Sequence, residues 1–191
     1  TPASEVMASL CLARDYADLG ERLGNMVVGF TYKGEPVRAT AVEAVGAMQV
    51  IFNTCLHLLN KGDEVIVIDP GYDYYSQIRL FGGVPVPVPA RESNRFKVDP
   101  DDIKAAITDK TKLMIINTPS NPTGAIFDAN ILRAIAQLAM EHDLIVLSDE
   151  PYEHILFDGN QHLSIGSFDG MAQRTISAFT LSKSYAMTGW R

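Results

Sequence analysis

The stretch Leu144-Ile145-Val146-Leu147-Ser148, followed at once by Asp149, carries the pattern that decides the fold. It is a short apolar run with the length of one buried strand, and a charged residue stands directly after it. Similar runs recur along the chain at Glu64–Ile68, Leu113–Asn117 and Thr175–Phe179. Short buried runs of this kind are typical of a parallel sheet that is covered on both faces.

The segments between these runs predict helices and one weaker strand. Ala129–Glu141 has apolar residues at helical spacing, and Asp99 followed by Pro100 is typical of a helix cap with proline in the first turn. The alternating prolines of Val84–Val88 restrict that stretch to an edge or distorted strand. Strands that alternate with helices predict an α/β fold with a mainly parallel sheet.

Polar residues follow several of the predicted strands at the point where each strand ends. Asn117 ends one strand, Asp149 follows another, and Thr180–Lys183 follow a third. In open parallel sheets, ligands bind at the carboxyl ends of the strands. The sequence therefore predicts a ligand site at this edge of the sheet, built from residues far apart in the chain.

Composition limits the classes of function. The chain has 191 residues, of which 47% are hydrophobic, and a net charge of -7, which argues against nucleic acid as a partner. No apolar run is long enough to span a bilayer, so we expect no membrane partner. Cys11 and Cys55 are interpreted as buried thiols, and the four histidines show no metal-ligand spacing, so no metal is expected. The expected location is the cytoplasm.

Three motifs in order carry a family resemblance: Asn117–Gly124, Ser148–Tyr152 and Ser182–Arg191. Together they closely resemble the core of class I aminotransferases, fold type I enzymes of amino acid metabolism that use pyridoxal 5′-phosphate (PLP). The resemblance runs from about residue 41 to residue 191. It implies a three-layer large domain over 41–191, after an N-terminal segment of residues 1–40. The chain resembles an incomplete aminotransferase that ends after the lysine motif and lacks the small C-terminal domain.

The resemblance implies a role for each residue of the predicted reaction centre. Lys183 would form the Schiff base with PLP and carry a proton between the substrate Cα and the cofactor C4′. Asp149 would hold the proton on the pyridine nitrogen, and Tyr152 and Asn121 would hydrogen-bond the phenolic oxygen. Without the motifs, the alternatives are a surface lysine at 183, a turn residue at 149 and a plain turn at 121–124.

The resemblance also implies how the ring and the phosphate of PLP are held. Tyr72 is the best match for the aromatic residue that stacks on the ring, while Tyr74 and Tyr75 are interpreted as core or surface residues. Val45–Gln49 is interpreted as preceding a long apolar helix that runs to Asn60. The phosphate would lie at the start of that helix, and the alternative is a glycine before an ordinary core helix. The residues implied for the phosphate are Gly46, Ala47, Met48, Thr180, Ser182 and Arg191.

The activity implied is transamination between an amino acid and a 2-oxo acid, in a homodimer. Two alternatives share much of the motif set: the C–S lyases and the aminocyclopropane-carboxylate synthases. A third is a regulator with a non-catalytic PLP-binding domain, or a truncated remnant. Tyr152 argues against the lyases, which tend to have His there, and the tail Ala186–Trp190 favours an aminotransferase. No basic recognition helix is visible in residues 1–40, which argues against the regulator.

Overall fold

The computed structural model describes residues 18, 21, 25, 27–30, 35–38 and 44–186. The chain divides into two compact units, one made of residues 1–50 and 181–191 and the other of residues 51–180. The predicted domain boundary between residues 40 and 41 stays a prediction. In the described part of the chain, no helix is both long enough and apolar enough to cross a membrane. The cytoplasmic location also stays a prediction.

The unit of residues 51–180 is built on a five-stranded sheet in which every pair of neighbouring strands is parallel. The strands are β3 (Glu64–Asp69), β4 (Val84–Pro89), β5 (Thr111–Asn117), β6 (Ile145–Asp149) and β7 (Thr175–Ala178). Their order across the sheet is β4-β3-β5-β6-β7. This confirms the predicted α/β class and each of the predicted strands to within two residues.

Five helices lie in the described residues from 44 onwards. They are α1 (Ala44–Leu58), α2 (Tyr75–Leu80), α3 (Pro100–Ala106), α4 (Ala129–Glu141) and α5 (Leu181–Ser184). Two short 3₁₀ helices are also present in the described residues, at Glu92–Asn94 and Ile165–Ser167. The start of α1 corrects one expectation, because Val45–Gln49 was predicted to precede this helix and instead forms its first turns.

The unit of residues 1–50 and 181–191 contains a short antiparallel pair of strands, β1 (Val27–Phe30) and β2 (Pro36–Arg38). Its register shifts between Val27 and Gly29. The same unit holds the first turns of α1 and the whole of α5. The sequence did not predict this pair of strands.

The central strands are buried on both faces, as the apolar runs predicted. Successive residues of β3 and β5 are almost fully buried whichever face they point to, so both faces of the sheet are covered. Helices α3 and α4 contribute Ile103, Leu132 and Ile135 to the core on one face. The apolar residues that these strands bury are Val65, Ile66, Val67, Ile68, Leu113, Met114, Ile115 and Ile116.

Local sequence signals set the ends of these elements. Among the described strands, β4 pairs only with β3 and lies at the edge of the five-stranded sheet, as its prolines predicted. Asp99 caps α3 through a hydrogen bond that its side chain accepts from the Asp101 N–H, with Pro100 in the first turn. Asp128 caps α4 in the same way. Side-chain caps satisfy backbone donors that a helix leaves unpaired, and they fix where each helix begins.

Candidate functional site

The candidate site lies at the carboxyl edge of the sheet in the unit of residues 51–180. The last residues of three neighbouring strands are aligned there, because Asn117 of β5 pairs with Asp149 of β6, and Asp149 pairs with Ala178 of β7. The loop after β3 brings Tyr72 and Tyr74 to the same site. The edge predicted from the sequence therefore brings together polar side chains that follow or end three strands, β3, β5 and β6.

Asp149 is a partly buried carboxylate at the end of β6. Its Oδ2 accepts a hydrogen bond of 2.5 Å from the Tyr74 hydroxyl. Burial raises the pKa of Asp149, the Tyr74 hydrogen bond opposes this increase, and the neighbouring charge of Glu150 adds to it. Among the described residues, Asp149 forms no ion pair and Oδ1 accepts no hydrogen bond. An anion in such surroundings favours a cationic or N–H ligand.

Asn117 links the two loops that carry predicted cofactor residues. Its Nδ2 donates to the backbone carbonyl of Asp149 at 2.9 Å, and its Oδ1 accepts from the Asn121 N–H at 2.7 Å. The side chain is buried, with 7% of the residue exposed. One amide therefore sets the position of Asp149 relative to Asn121, because it uses its donor on one loop and its acceptor on the other.

We predict that Asn117→Ala lowers the free energy of unfolding by about 1–3 kcal/mol, because two part-buried backbone groups lose their partners. Asn117→Asp should also destabilise the protein, since a carboxylate accepts from Asn121 but cannot donate to the Asp149 carbonyl. Urea unfolding measures both. Asn94→Ala is the matched control, because the Asn94 amide donates to a backbone carbonyl in an exposed turn. Equal losses at positions 94 and 117 would contradict the bridging role.

Tyr152 and Asn121 lie together, as their predicted common role requires. Burial raises the pKa of Tyr152, the negative charge of Asp149 and the nearby Tyr72 raise it further, and a hydrogen bond with the Asn121 side chain opposes them. Both residues line an open cavity of about 460 Å³, whose other walls include Ile155 and Phe157. That volume is in the range of small-molecule sites.

The three tyrosines after β3 have different environments. Tyr72 is 48% exposed, and its ring lies edge-on to that of Tyr74 at 5.3 Å. Tyr74 is 2% exposed and contacts Asp149, whereas the Tyr75 hydroxyl donates to Asp69. The exposed ring of Tyr72 is the one open to a ligand. Its stacking on the cofactor ring stays a prediction, and the exposure of the ring is compatible with that role. Tyr74 is a core residue, one of the two alternatives given for it.

Glu150 forms a second buried network directly beside Asp149. Its side chain is fully buried, and its two oxygens lie 2.6 Å from His162 Nε2 and 2.7 Å from the Ser164 hydroxyl. Its backbone N–H donates to the Ala178 carbonyl. Burial by itself would raise the pKa of Glu150, but the hydrogen bonds from His162 and Ser164 reverse this, so the pKa is lowered. The segment between Asp149 and Tyr152 is thereby fixed to the sheet.

The same network places potential metal ligands together. Ligand atoms of Glu150, Glu153 and His162 lie within 4.8 Å of one another, which the spacing of the histidines in the sequence did not indicate. Both oxygens of Glu150 already accept hydrogen bonds, so its buried carboxylate has hydrogen-bond partners without a metal ion. The expectation of no metal ligand stays a prediction.

We predict a pH-dependent effect for Ser164→Ala. Because the folded-state pKa of Glu150 is lowered, its contribution to stability is complete above the unfolded-state pKa of about 4.3 and is lost as the pH falls below it. The variant should be less stable by about 1–2 kcal/mol at pH 7. The difference from wild type should shrink below about pH 4.5. Thermal unfolding across pH measures this.

Ser167→Ala is the control for this prediction, because the Ser167 hydroxyl donates to a backbone carbonyl and contacts no carboxylate. Its effect should be small and should not vary with pH. A constant difference between Ser164→Ala and wild type from pH 7 to pH 3.5 would contradict the account of Glu150.

The remaining predicted residues lie in other parts of the chain. Thr180 belongs to the unit of residues 51–180 and is partly buried. Ser182 is buried and Lys183 is exposed, and both lie on α5 in the other unit. Gly46, Ala47 and Met48 lie in the first turns of α1 in that same unit, so a helix N-terminus is present there. Arg191 lies outside the described residues.

Sequence reasoning missed three residues of the site: Asn117 as a bridge, Tyr74 as the partner of Asp149, and His162 as the partner of Glu150. Two signals were available. Asn117 ends a buried strand, where an amide must find partners, and Glu150 follows a buried strand and carries a charge that has to be compensated. Neither signal identifies the partner, which comes from a distant part of the chain.

The fold and the candidate site define an α/β domain whose carboxyl edge presents a partly buried carboxylate, a tyrosine and an asparagine. The family described as "Aminotransferase class I and II" matches residues 30–191. The chain is 47% identical over 148 residues to "Aspartate aminotransferase" of Pyrococcus abyssi, which covers 77% of this chain and 38% of that protein. It is 41% identical over 201 residues to "Arginine--pyruvate transaminase AruH" of Pseudomonas aeruginosa, covering 100% of this chain and 51% of that protein.

Comparison with a solved structure also identifies an aminotransferase as similar to this chain. The aromatic aminotransferase from Pyrococcus horikoshii OT3 superposes with a TM-score of 0.73 at 45% identity, over 76% of this chain and 39% of that one. The chain thus spans about half, or less, of the length of the relatives that it matches. It belongs to the aminotransferase class I and II family, whose cofactor is PLP.

The described residues fit this cofactor. PLP has a basic ring nitrogen, a phenolic oxygen and a phosphate. Asp149 offers a carboxylate whose burial calls for an N–H or cationic partner, and Oδ1 accepts no other hydrogen bond among the described residues. Tyr152 and Asn121 offer hydrogen-bond donors close to it.

Proposed function

We propose that this chain is the cofactor-binding part of an aminotransferase that moves an amino group between an amino acid and a 2-oxo acid. The observation that carries the proposal is the setting of Asp149, a partly buried carboxylate at the carboxyl edge of the sheet. Beside it lie Tyr152 and Asn121, whose side chains are close enough to interact. Similarity to proteins named as aminotransferases supports the same reaction.

PLP, when bound, supplies an electron sink for the charge that develops at the substrate Cα. Asp149 would hold a proton on the ring nitrogen, because a buried anion raises the proton affinity of a base next to it. Tyr152 and Asn121 would donate hydrogen bonds to the phenolic oxygen. Lys183 would bind the cofactor covalently through its amine and carry a proton between the substrate Cα and C4′.

The phosphate would be bound by backbone and hydroxyl donors. A helix N-terminus attracts anions because its first N–H groups have no partner within the helix, and Gly46, Ala47 and Met48 lie in the first turns of α1. Thr180 and Ser182 would add hydroxyl donors, and Arg191 would add a bidentate guanidinium. Tyr72, whose ring is exposed, would stack on the cofactor ring.

The substrates are proposed as a class. The two relatives described above are named for aspartate and for arginine with pyruvate, and the solved structure is named for aromatic substrates. These three proteins, which are 41–47% identical to this chain, are thus named for acidic, basic and aromatic amino acids. The proposal therefore extends to the class alone, an amino acid and a 2-oxo acid. A homodimer is proposed separately, from the resemblance to the family.

The test follows the amino nitrogen. The full-length protein, loaded with PLP, is incubated with a panel of ¹⁵N-labelled amino acids and unlabelled 2-oxo acids, and the products are separated by mass. We expect the label to appear in the amino acid formed from the 2-oxo acid. Release of the label as ammonia would indicate a lyase instead. PLP binding without movement of the label to any acceptor would indicate a regulatory domain, and either result would overturn the proposal.

A further inference from the structure

Tyr74 is a buried residue that the predicted reaction does not use, yet it contacts the proposed centre directly. Its hydroxyl donates to Asp149 Oδ2 at 2.5 Å, and the two residues are 75 positions apart in the chain. That distance is typical of a hydrogen bond between a hydroxyl group and an ionised carboxylate, which is about twice as strong as a neutral one. Burial, and then the charge of Asp149, raise the pKa of the Tyr74 phenol, so it remains a neutral donor.

The ring of Tyr74 is held in place independently of Asp149. Only 2% of the residue is exposed, and the ring of Tyr72 packs edge-on against it. Its backbone N–H donates to the Tyr72 carbonyl, and its own carbonyl accepts from the Ile78 N–H at the start of α2. The packing and these backbone hydrogen bonds therefore hold the Tyr74 hydroxyl in position to donate to Asp149 Oδ2.

The backbone of Asp149 is equally fixed. It pairs with Asn117 and Ala178 on the neighbouring strands, and its carbonyl accepts from the Asn117 side chain. Only the two side-chain torsions of Asp149 remain to be set. The bond from Tyr74 sets them by engaging Oδ2, while Oδ1 accepts no hydrogen bond from the described residues.

We propose that Tyr74 is a positioning residue that holds the Asp149 carboxylate by Oδ2 and so presents Oδ1 to the ring nitrogen of PLP. Two effects follow from this geometry. The carboxylate needs no reorientation when the cofactor binds, and the donated hydrogen bond stabilises its ionised form against the effect of burial. The inference rests on the proposed function, because it assigns Oδ1 to the cofactor.

The test is a double-mutant cycle in the full-length protein with Tyr74→Phe and Asp149→Asn. Tyr74→Phe keeps the buried ring and removes only the hydroxyl. The first measurement is the dissociation constant of PLP, determined by equilibrium dialysis of the cofactor-free protein. We expect Tyr74→Phe to raise it about tenfold in the wild-type background, the loss expected for a hydrogen bond to a charged group. In the Asp149→Asn background the same change should raise it by less than about threefold, because the bond to a neutral amide is weaker.

A second measurement separates positioning from packing. In steady-state kinetics, Tyr74→Phe should lower kcat about tenfold or more while changing KM for the amino acid by less than about threefold. Tyr75→Phe is the matched control, because it removes the same atom from the adjacent residue, whose hydroxyl donates to Asp69. It should leave both the dissociation constant and kcat within about twofold of wild type.

Equal increases of the dissociation constant in the two backgrounds would show that Tyr74 acts through packing alone and would overturn the proposal. Wild-type affinity and kcat in Tyr74→Phe would overturn it as well. Failure of the proposed function is recognised separately: the wild-type protein would then bind no PLP or move no ¹⁵N label. A wild type that passes those two tests, with an indistinguishable Tyr74→Phe variant, refutes the role of Tyr74 alone.

Discussion

Replacing Lys183 by alanine is expected to lower the rate of transamination by about ten-thousand-fold, the upper end of the range for a positioned acid–base group. The side chain is proposed to bind the cofactor and to move the proton at the substrate Cα, so its loss removes both functions. The measurement is single-turnover conversion of an amino acid by the full-length protein at saturating PLP, which separates chemistry from substrate binding.

Lys183→Arg distinguishes this role from a purely electrostatic one. Arginine keeps the positive charge but cannot lose its proton at neutral pH, so it can act neither as a nucleophile nor as a base. We expect it to be as inactive as Lys183→Ala. Lys112→Ala is the control, because Lys112 is an exposed lysine on β5. An arginine variant with more than about a tenth of the wild-type rate would contradict the role of Lys183 as the base.

The second large effect is expected at Asp149. Asp149→Asn keeps the shape of the side chain and an acceptor for Tyr74, but it removes the negative charge that would hold a proton on the ring nitrogen. The rate should fall about a thousand-fold, equivalent to about 4 kcal/mol of barrier. PLP should remain bound, because the phosphate is proposed to be held by other residues. Single-turnover rates and the bound PLP content measure the two effects.

Stability distinguishes this chemical loss from damage to the fold. Burial raises the pKa of Asp149 in the folded state above its unfolded-state pKa. The ionised carboxylate therefore destabilises the folded protein, and this destabilisation grows as the pH rises from the unfolded-state pKa to the folded-state pKa. Cofactor-free Asp149→Asn should therefore unfold at the same temperature as wild type, or higher, at pH 7. Asp109→Asn is the control, because this exposed carboxylate lies before β5, at the opposite end of the strands. A variant of Asp149 that unfolds early, or that turns over normally, would contradict its role.

Much of the fold followed from the sequence because burial on both faces leaves a simple pattern. Strands such as β5 and β6 are continuous apolar runs, and Asp99 and Asp128 stand where helix caps are needed. Two features did not follow. Gly46 was expected to precede α1 but lies within its first turns, since tertiary contacts can override a weak helix former. The pair β1 and β2 is too short to leave a clear alternation.

Less of the candidate site than of the fold could be predicted from the sequence. Motifs and strand ends placed Asp149, Tyr152 and Asn121 at one edge of the sheet, because each of them lies close to a recognisable strand. The partners that tune them could not be predicted. Tyr74 reaches Asp149 across 75 residues, and Asn117 reaches it across 32. Such pairs depend on strand order and register, which a single sequence does not determine.

The central claim is that PLP is bound covalently by Lys183, and reduction followed by peptide mapping tests it most directly. Borohydride reduces the bond between a lysine amine and the cofactor carbon to a stable amine, which survives proteolysis and can be located by mass. The account predicts a reduced adduct on the peptide that contains Lys183 and none on the peptides that contain Lys61 or Lys112. An adduct on either of those lysines, or no adduct at all on PLP-loaded full-length protein, would contradict it.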